Sequence, residues 1–123
     1  MKETILYYHV PTEVKNFLDL LEKELKIEIK EIEEHQINQK MGYLLGIVGF
    51  KENKVLRQKD LDQPLLYFAF MSDKQLDIIL SMLRQAHLPP IPYKAMMTET
   101  NLQYTFDELY QEIKKEHAIM SKK

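Results

Sequence analysis

The chain has 123 residues, and 17 Lys+Arg against 19 Asp+Glu leave a net charge of −2 with histidine neutral. An apolar fraction of 45% beside 29% charged residues, with three Gly and five Pro, fits one globular domain over residues 1–123 and excludes low-complexity disorder. Nearly balanced charge supplies no field for a polyanion, so nucleic acid is not an expected partner, and without cysteine there is no disulfide, thiolate nucleophile or Cys-ligated zinc.

A reducing, cytoplasmic setting is the expectation for such a chain. Met1-Lys2-Glu3-Thr4 leads into apolar sequence without a small-residue cleavage site, so no signal peptide is expected. The longest apolar run, Met41 to Phe50, is interrupted by glycine and falls far short of the roughly 20 residues of a spanning helix, so no membrane segment is expected.

Residues 4–10 read as a buried strand, because Ile5, Leu6, Tyr7, Tyr8 and Val10 put apolar groups on both faces and only His9 interrupts them. Thr12, after Pro11, suits an N-cap, and Val14, Phe17, Leu18, Leu21 and Leu25 follow at helical spacing. Ile27 and Ile29 then alternate with Lys26, Glu28 and Lys30, as in a half-exposed edge strand. Residues 31–40 are polar, with Glu31, Glu33 and Glu34 clustered, and read as a solvated loop. A short helix is expected over 38–45, stopped by Gly46, which takes the left-handed conformation without a Cβ penalty. From 51 to 63 only Val55, Leu56 and Leu61 are apolar, which predicts a surface loop, the most mobile part of the chain.

Residues 65–71 carry the strongest strand pattern, with Leu65, Tyr67, Ala69 and Met71 on one face and Leu66, Phe68 and Phe70 on the other. Ser72-Asp73-Lys74-Gln75 is a capping box opening a helix whose core stripe is Leu76, Ile79, Leu80 and Leu83, and Leu88-Pro89-Pro90 ends it. Residues 91–97 make a fourth strand. Thr105-Phe106-Asp107-Glu108 is a second capping box, and Phe106, Leu109, Tyr110 and Ile113 form the buried side of a last helix that frays toward Ser121-Lys122-Lys123.

The order βαβαβαβα predicts an α/β fold. Because the first and third strands are apolar on both faces, the expected form is a three-layer sandwich, a four-stranded mainly parallel sheet of order 2-1-3-4 with helices on both faces. A ferredoxin-like α+β arrangement, also with those two strands central, is the alternative. Leu6-Tyr7-Tyr8 with Thr12-Glu13 returns as Leu66-Tyr67-Phe68 with Ser72-Asp73. The helical stripes fit a different offset, so this reads as a shared strand-to-helix solution rather than a duplication.

In an open parallel sheet the ligand lies outside the carboxyl ends of the strands at a switch point, here between the first and third strands. The expected site therefore collects Tyr8, His9 and Thr12 from the first turn, Ser72 from the third, and Thr98, Thr100 and Asn101 after the fourth. Amides at the two helix starts suit an anion, although Glu13 and Asp73 already occupy those first turns. The competing reading makes the same residues caps and turn formers. His9 has acid–base chemistry available to it, whereas Ser72 lacks the glycines of a nucleophile elbow.

His9, His35, His87 and His117 show no His-x₂-His or His-x₃-His spacing, and only Glu31 with His35 stands at i, i+4, so no metal site is expected. Gly42-Tyr43-Leu44-Leu45-Gly46-Ile47-Val48-Gly49 fits neither a Walker loop nor a dinucleotide fingerprint, so no cofactor is expected. Those glycines read as close-packing positions; any exposed part of Met41 to Phe50 would offer a surface for a homodimer or a protein partner.

Gly42-Tyr43-Leu44-Leu45-Gly46, Phe70-Met71-Ser72 leading to Gln75-Leu76, and Lys94-Ala95-Met96-Met97-Thr98 with Thr100-Asn101 together resemble the uncharacterised bacterial DUF3783 family. Leu109-Tyr110-Gln111-Glu112-Ile113-Lys114-Lys115-Glu116 is similar to that family's C-terminal helix. The resemblance spans nearly the whole chain, implies a small cytoplasmic single-domain protein, and carries no mechanism with it. A well-specified core without a complete catalytic set makes a non-catalytic binding or protein-interaction module the expected function. The alternative is a small-molecule site, for an anionic ligand, or an enzyme, at the carboxyl ends of strands one, three and four.

Overall fold

The structure, a computed structural model, describes residues 2–55 and 61–121. Strands β1 (Thr4–Tyr8) and β3 (Leu65–Ala69) are buried along their whole length, which only the centre of a covered sheet allows. The strand order is the expected 2-1-3-4, with β2 (Glu28–Glu31) and β4 (Tyr93–Met96) as edges. Helices α1 (Thr12–Leu25), α2 (Met41–Leu44), α3 (Asp73–Gln85) and α4 (Phe106–Ser121) complete an α/β fold.

The strand directions correct the sequence reading. β1 is parallel to β2, and β3 to β4, but the central pair is antiparallel, with Leu6 opposite Tyr67. The sheet is therefore mixed rather than mainly parallel. Side-chain alternation has a period of two and looks the same whichever way a strand runs, so the pattern in residues 65–71 carried no direction.

This reversal decides where the helices lie. Right-handed crossovers that leave two antiparallel strands toward opposite edges both return over the same face. Accordingly Val14, Leu18 and Leu21 of α1 share one core with Ile79 of α3, against Ile5, Tyr7, Leu66 and Phe68. The other face, bearing Leu6, Tyr8, Leu65 and Tyr67, is covered by Met41 of α2 and by Phe106, Leu109 and Tyr110 of α4. The ferredoxin-like alternative interleaves its two βαβ units, whereas here each unit keeps its own half of the sheet.

The two halves are related more closely than the short sequence echo implies. Among the described residues four non-glycine positions have positive φ: His9 at 51°, Lys26 at 55°, Phe70 at 61° and His87 at 52°. His9 and Phe70, which end β1 and β3, stand sixty-one positions apart, as do Lys26 and His87, which follow α1 and α3. Leu6 and Tyr67 are equivalent under this offset and also face each other across the central pair, so a pseudo-two-fold axis passes between them. The difference lies after the helices: α1 reaches β2 through Lys26 and Ile27 alone, while α3 reaches β4 through the longer connection 86–92.

Local chemistry sets the boundaries. Pro11, not Thr12, is the N-cap of α1, and no side chain caps that helix; Thr12 is its first residue. Ser72 caps α3, its Oγ accepting from the Gln75 N–H at 3.1 Å. At α4 both arms of the capping box form, Glu108 N–H to Thr105 Oγ1 at 3.1 Å and Thr105 N–H to Glu108 Oε1 at 2.9 Å. Helix α2 is shorter than expected, yet Gly46 stops it as read, at φ 76°. Its N–H donates to Tyr43 O and that of Ile47 to Gly42 O, the paired bonds of a Schellman turn. A Cβ on Gly42 would sit 2.5 Å from the Phe50 ring, which accounts for glycine there as a packing residue. Within the Met41 to Phe50 run Met41 and Leu45 are buried and Val48 is fully exposed. The polar stretch 31–40 is less of a loop than expected, since Glu31 ends β2 and Glu34–Gln36 make a 3-10 turn. After β3 the left-handed Phe70 shifts the alternation, so Phe70 packs with the α4-side core and Met71 with the α1-side core, the reverse of the expected faces.

Of the loop expected over 51–63, residues 51–55 are exposed, and 56–60, with Leu56, lie outside the described residues, as do Met1, Lys122 and Lys123. Buried Gln39 anchors its start: the side-chain amide donates to Asn53 O at 2.9 Å and its oxygen accepts Asn53 N–H at 2.8 Å. Two buried tyrosines anchor its end, Tyr8 Oη accepting from Leu61 N–H, and Tyr110 Oη accepting from Gln63 N–H while donating to Asp62. That bond holds the Asp62 carboxyl below its usual range. No described helix is long and apolar enough to cross a membrane.

Burial, aided at Tyr110 by Asp62, pushes the Tyr67 and Tyr110 hydroxyls well above the ordinary value of 10.0. Above that pH the unfolded chain loses these protons while the folded chain keeps them. The stability tied to both groups is thus complete below about pH 10 and declines as pH rises toward the folded values. Thermal midpoints should fall steadily above pH 10, and Tyr67→Phe should flatten the slope. An unchanged slope would show that Tyr67 is solvated.

Candidate functional site

The antiparallel central pair sends the carboxyl ends of β1 and β3 to opposite ends of the sheet, Tyr8 lying opposite Leu65 and Thr4 opposite Ala69. The sequence-predicted set is divided accordingly. Tyr8, His9 and Thr12 stand at one end, and Ser72, Thr98, Thr100 and Asn101 at the other, because β4 is parallel to β3. The crevice expected between β1 and β3 is not formed.

At the first end, Tyr8 is fully buried in the α4-side core. The left-handed turn at His9 lays its ring flat on that of Tyr8, with centroids 4.0 Å apart, and its Nε2 meets Glu34 Oε1 at 3.0 Å. Thr12 is exposed. At the second end, Asn101 organises the turn after β4. Its Oδ1 accepts from Tyr67 Oη at 2.7 Å and Thr98 N–H at 2.9 Å, its Nδ2 donates to Met96 O at 3.0 Å, and its own N–H donates to Thr98 Oγ1 at 3.0 Å. Thr100 is exposed and precedes the 3-10 turn Asn101–Gln103. The side chains of Ser72, Thr98 and Asn101 thus satisfy backbone groups, as turn formers and caps do.

Among the described residues no buried side-chain polar atom lacks a partner, and no group of three or more His, Asp or Glu is placed to hold a metal.

Two open depressions have charged lining, one at Lys30, Glu31 and Tyr43 and one at His9, Glu31, Glu33, Glu34 and His35, whereas a third is mainly apolar. A half-open cavity of about 470 Å³ lies on the α1–α3 side, between Leu80 and Leu83 of α3, the connection Leu88-Pro89-Pro90-Ile91-Pro92, and a floor of Val14 and Leu66. Its volume is within the roughly 300–1,000 Å³ of small-molecule sites. Three prolines stiffen its outer wall by fixing φ and, having no N–H, they bring no amide donor to it. Arg84 and Lys94 supply the charged part of the lining.

Pseudo-symmetry shows what made this cavity. Under the sixty-one-residue offset, Leu80 and Leu83 take the places of Asp19 and Glu22 in α1, and Arg84 that of Lys23. The first half has charged carboxylates and a two-residue connection where the second has leucines and the proline-bearing wall. The sequence reading assigned Leu80 and Leu83 to the core stripe and used the prolines only to end the helix. The sequence signal was an excess of apolar residues on α3, which carries Ile78 and Met82 besides the stripe Leu76, Ile79, Leu80 and Leu83; in the structure Ile79 alone of these is fully buried.

No curated protein and no solved structure matches the chain. The match is to a family model: residues 64–120, from just before β3 almost to the end of α4, match Domain of unknown function (DUF3783), so the resemblance holds for Phe70-Met71-Ser72, for Lys94 to Asn101 and for the last helix, while Gly42 to Gly46 lies outside it.

Proposed function

We propose that this protein is a non-catalytic binding module that takes a small apolar ligand in the cavity between α3 and the 86–92 connection. The observation that carries this reading is the departure of the second half from the first: leucines replace carboxylates at Leu80 and Leu83, and a longer connection walls off the space they line. Burial of apolar ligand surface provides the driving force, on the order of 25 cal/mol per Å². A cytoplasmic setting belongs to the same reading, supported by the cysteine-free chain.

Two-dimensional amide NMR with 1-decanol as a neutral probe tests it. Resonances of Leu66, Leu80, Leu83 and Ile91 should shift saturably, and Leu83→Glu, which installs the residue found at the equivalent place in α1, should abolish the shifts while leaving the remaining spectrum folded. Decanol that leaves these resonances unmoved, or that moves them equally in Leu83→Glu, overturns the reading.

A further inference from the structure

The geometry points to a more specific occupant, an alkyl chain carrying an anionic head group, with the chain in the cavity and the head at Arg84 and Lys94; this rests on the binding reading above. Neither cation is within ion-pair distance of a carboxylate among the described residues, where the ion pairs involve Lys15, Lys30, His9 and His35 instead. Two unpaired positive groups lining an otherwise hydrocarbon space are the complement of an amphiphile's anion.

The two cations are held differently. Arg84 is exposed in the last turn of α3, where its planar fork is open for bidentate contact with a carboxylate or phosphate. Much of Lys94 is also open to solvent, but its ammonium turns back onto the Ile91 carbonyl, and burial lowers its pKa. That ammonium sits in surroundings short of countercharge, which an anionic head would supply. The carbonyl end of α3 faces the same region with roughly half a negative charge, and the two full positive charges outweigh it.

The same arrangement excludes other heads. An ammonium would meet Arg84 and Lys94 with like charge. An uncharged head would gain only the apolar burial that decanol already tests. The short connection at Lys26 and Ile27 and the carboxylates Asp19 and Glu22 deny the first half an equivalent site.

Titration calorimetry of the full chain with decanoate, decyl phosphate, decanol and decylammonium, all below micelle-forming concentrations, tests the inference. Decanoate or decyl phosphate should bind at least tenfold more tightly than decanol, and decylammonium more weakly, the tighter anion naming the head. In an Arg84→Gln/Lys94→Gln variant the anion-to-decanol affinity ratio should fall toward one. If decanol binds and neither anion binds more tightly, the anionic head is wrong and the binding module stands. If none of the four binds, the module itself fails. A ratio that persists in the double variant also overturns the inference, since the preference then arises elsewhere.

Discussion

Phe106→Ala is expected to remove about 3–5 kcal/mol of folding stability, a large part of the roughly 5–15 kcal/mol available to a domain. Phe106 is fully buried at the first position of α4. Its ring lies 4.9 Å from that of Tyr8 and 6.4 Å from that of Tyr110, and its N–H donates to the Gln39 carbonyl at 3.0 Å. The lost side chain would leave a void between β1, α2 and α4. Main-chain bonds from the Met41 N–H to the Tyr104 carbonyl and from the Asp107 N–H to the Ile37 carbonyl also tie these segments together, which limits how far the void can collapse. Urea unfolding measures the effect, and Phe106→Leu, which keeps most of the volume, should recover more than half of it. A loss under about 1 kcal/mol would show that α4 does not cover this face of the sheet.

Asn101→Ala is the second large effect, about 2–4 kcal/mol, since a buried polar group left without its partner costs about 1–3 kcal/mol. The substitution removes the acceptor of the fully buried Tyr67 hydroxyl and releases the Thr98 amide and the Met96 carbonyl. A cycle with Tyr67→Phe isolates the first term: without the hydroxyl, the cost of Asn101→Ala should shrink by about 1–2 kcal/mol. An exposed residue waiting for a ligand would instead change stability by no more than about 0.5 kcal/mol. That near-neutral result would return Asn101 to the status of a free binding group, so the measurement decides between the two readings of the turn after β4.

Much of the fold was legible because its signals are local. The capping residues Ser72 and Thr105, the stop at Gly46, the double-sided burial of residues 4–8 and 65–69, and the stripe from Val14 to Leu21 each depend on neighbours within a few positions. The central position of the first and third strands followed from burial, since strands without a wet face must lie inside, but burial does not say beside which of them β2 and β4 add. The site was not legible in this way. Tyr8, His9 and Thr12 were joined to Ser72, Thr98, Thr100 and Asn101 only by assuming a parallel centre, and the cavity was hidden because Leu80 and Leu83 fit a helical core stripe equally well whether a neighbour covers them or not.

The residues alone determined which segments are strands and helices, where several of them begin and stop, and which two strands are inside, because hydrogen-bond capping, φ preference and hydrophobic alternation act over one turn or one pleat. Only the tertiary structure decided the direction of β3 against β1, the sharing of one face by α1 and α3, and the cavity beneath the proline wall. A period-two pattern is unchanged when a strand is turned end for end, and the long stretch between β2 and β3 permits either direction. In the antiparallel arrangement α1 and α3 share one face, and α2 and α4 pack on the face that those two crossover helices leave uncovered.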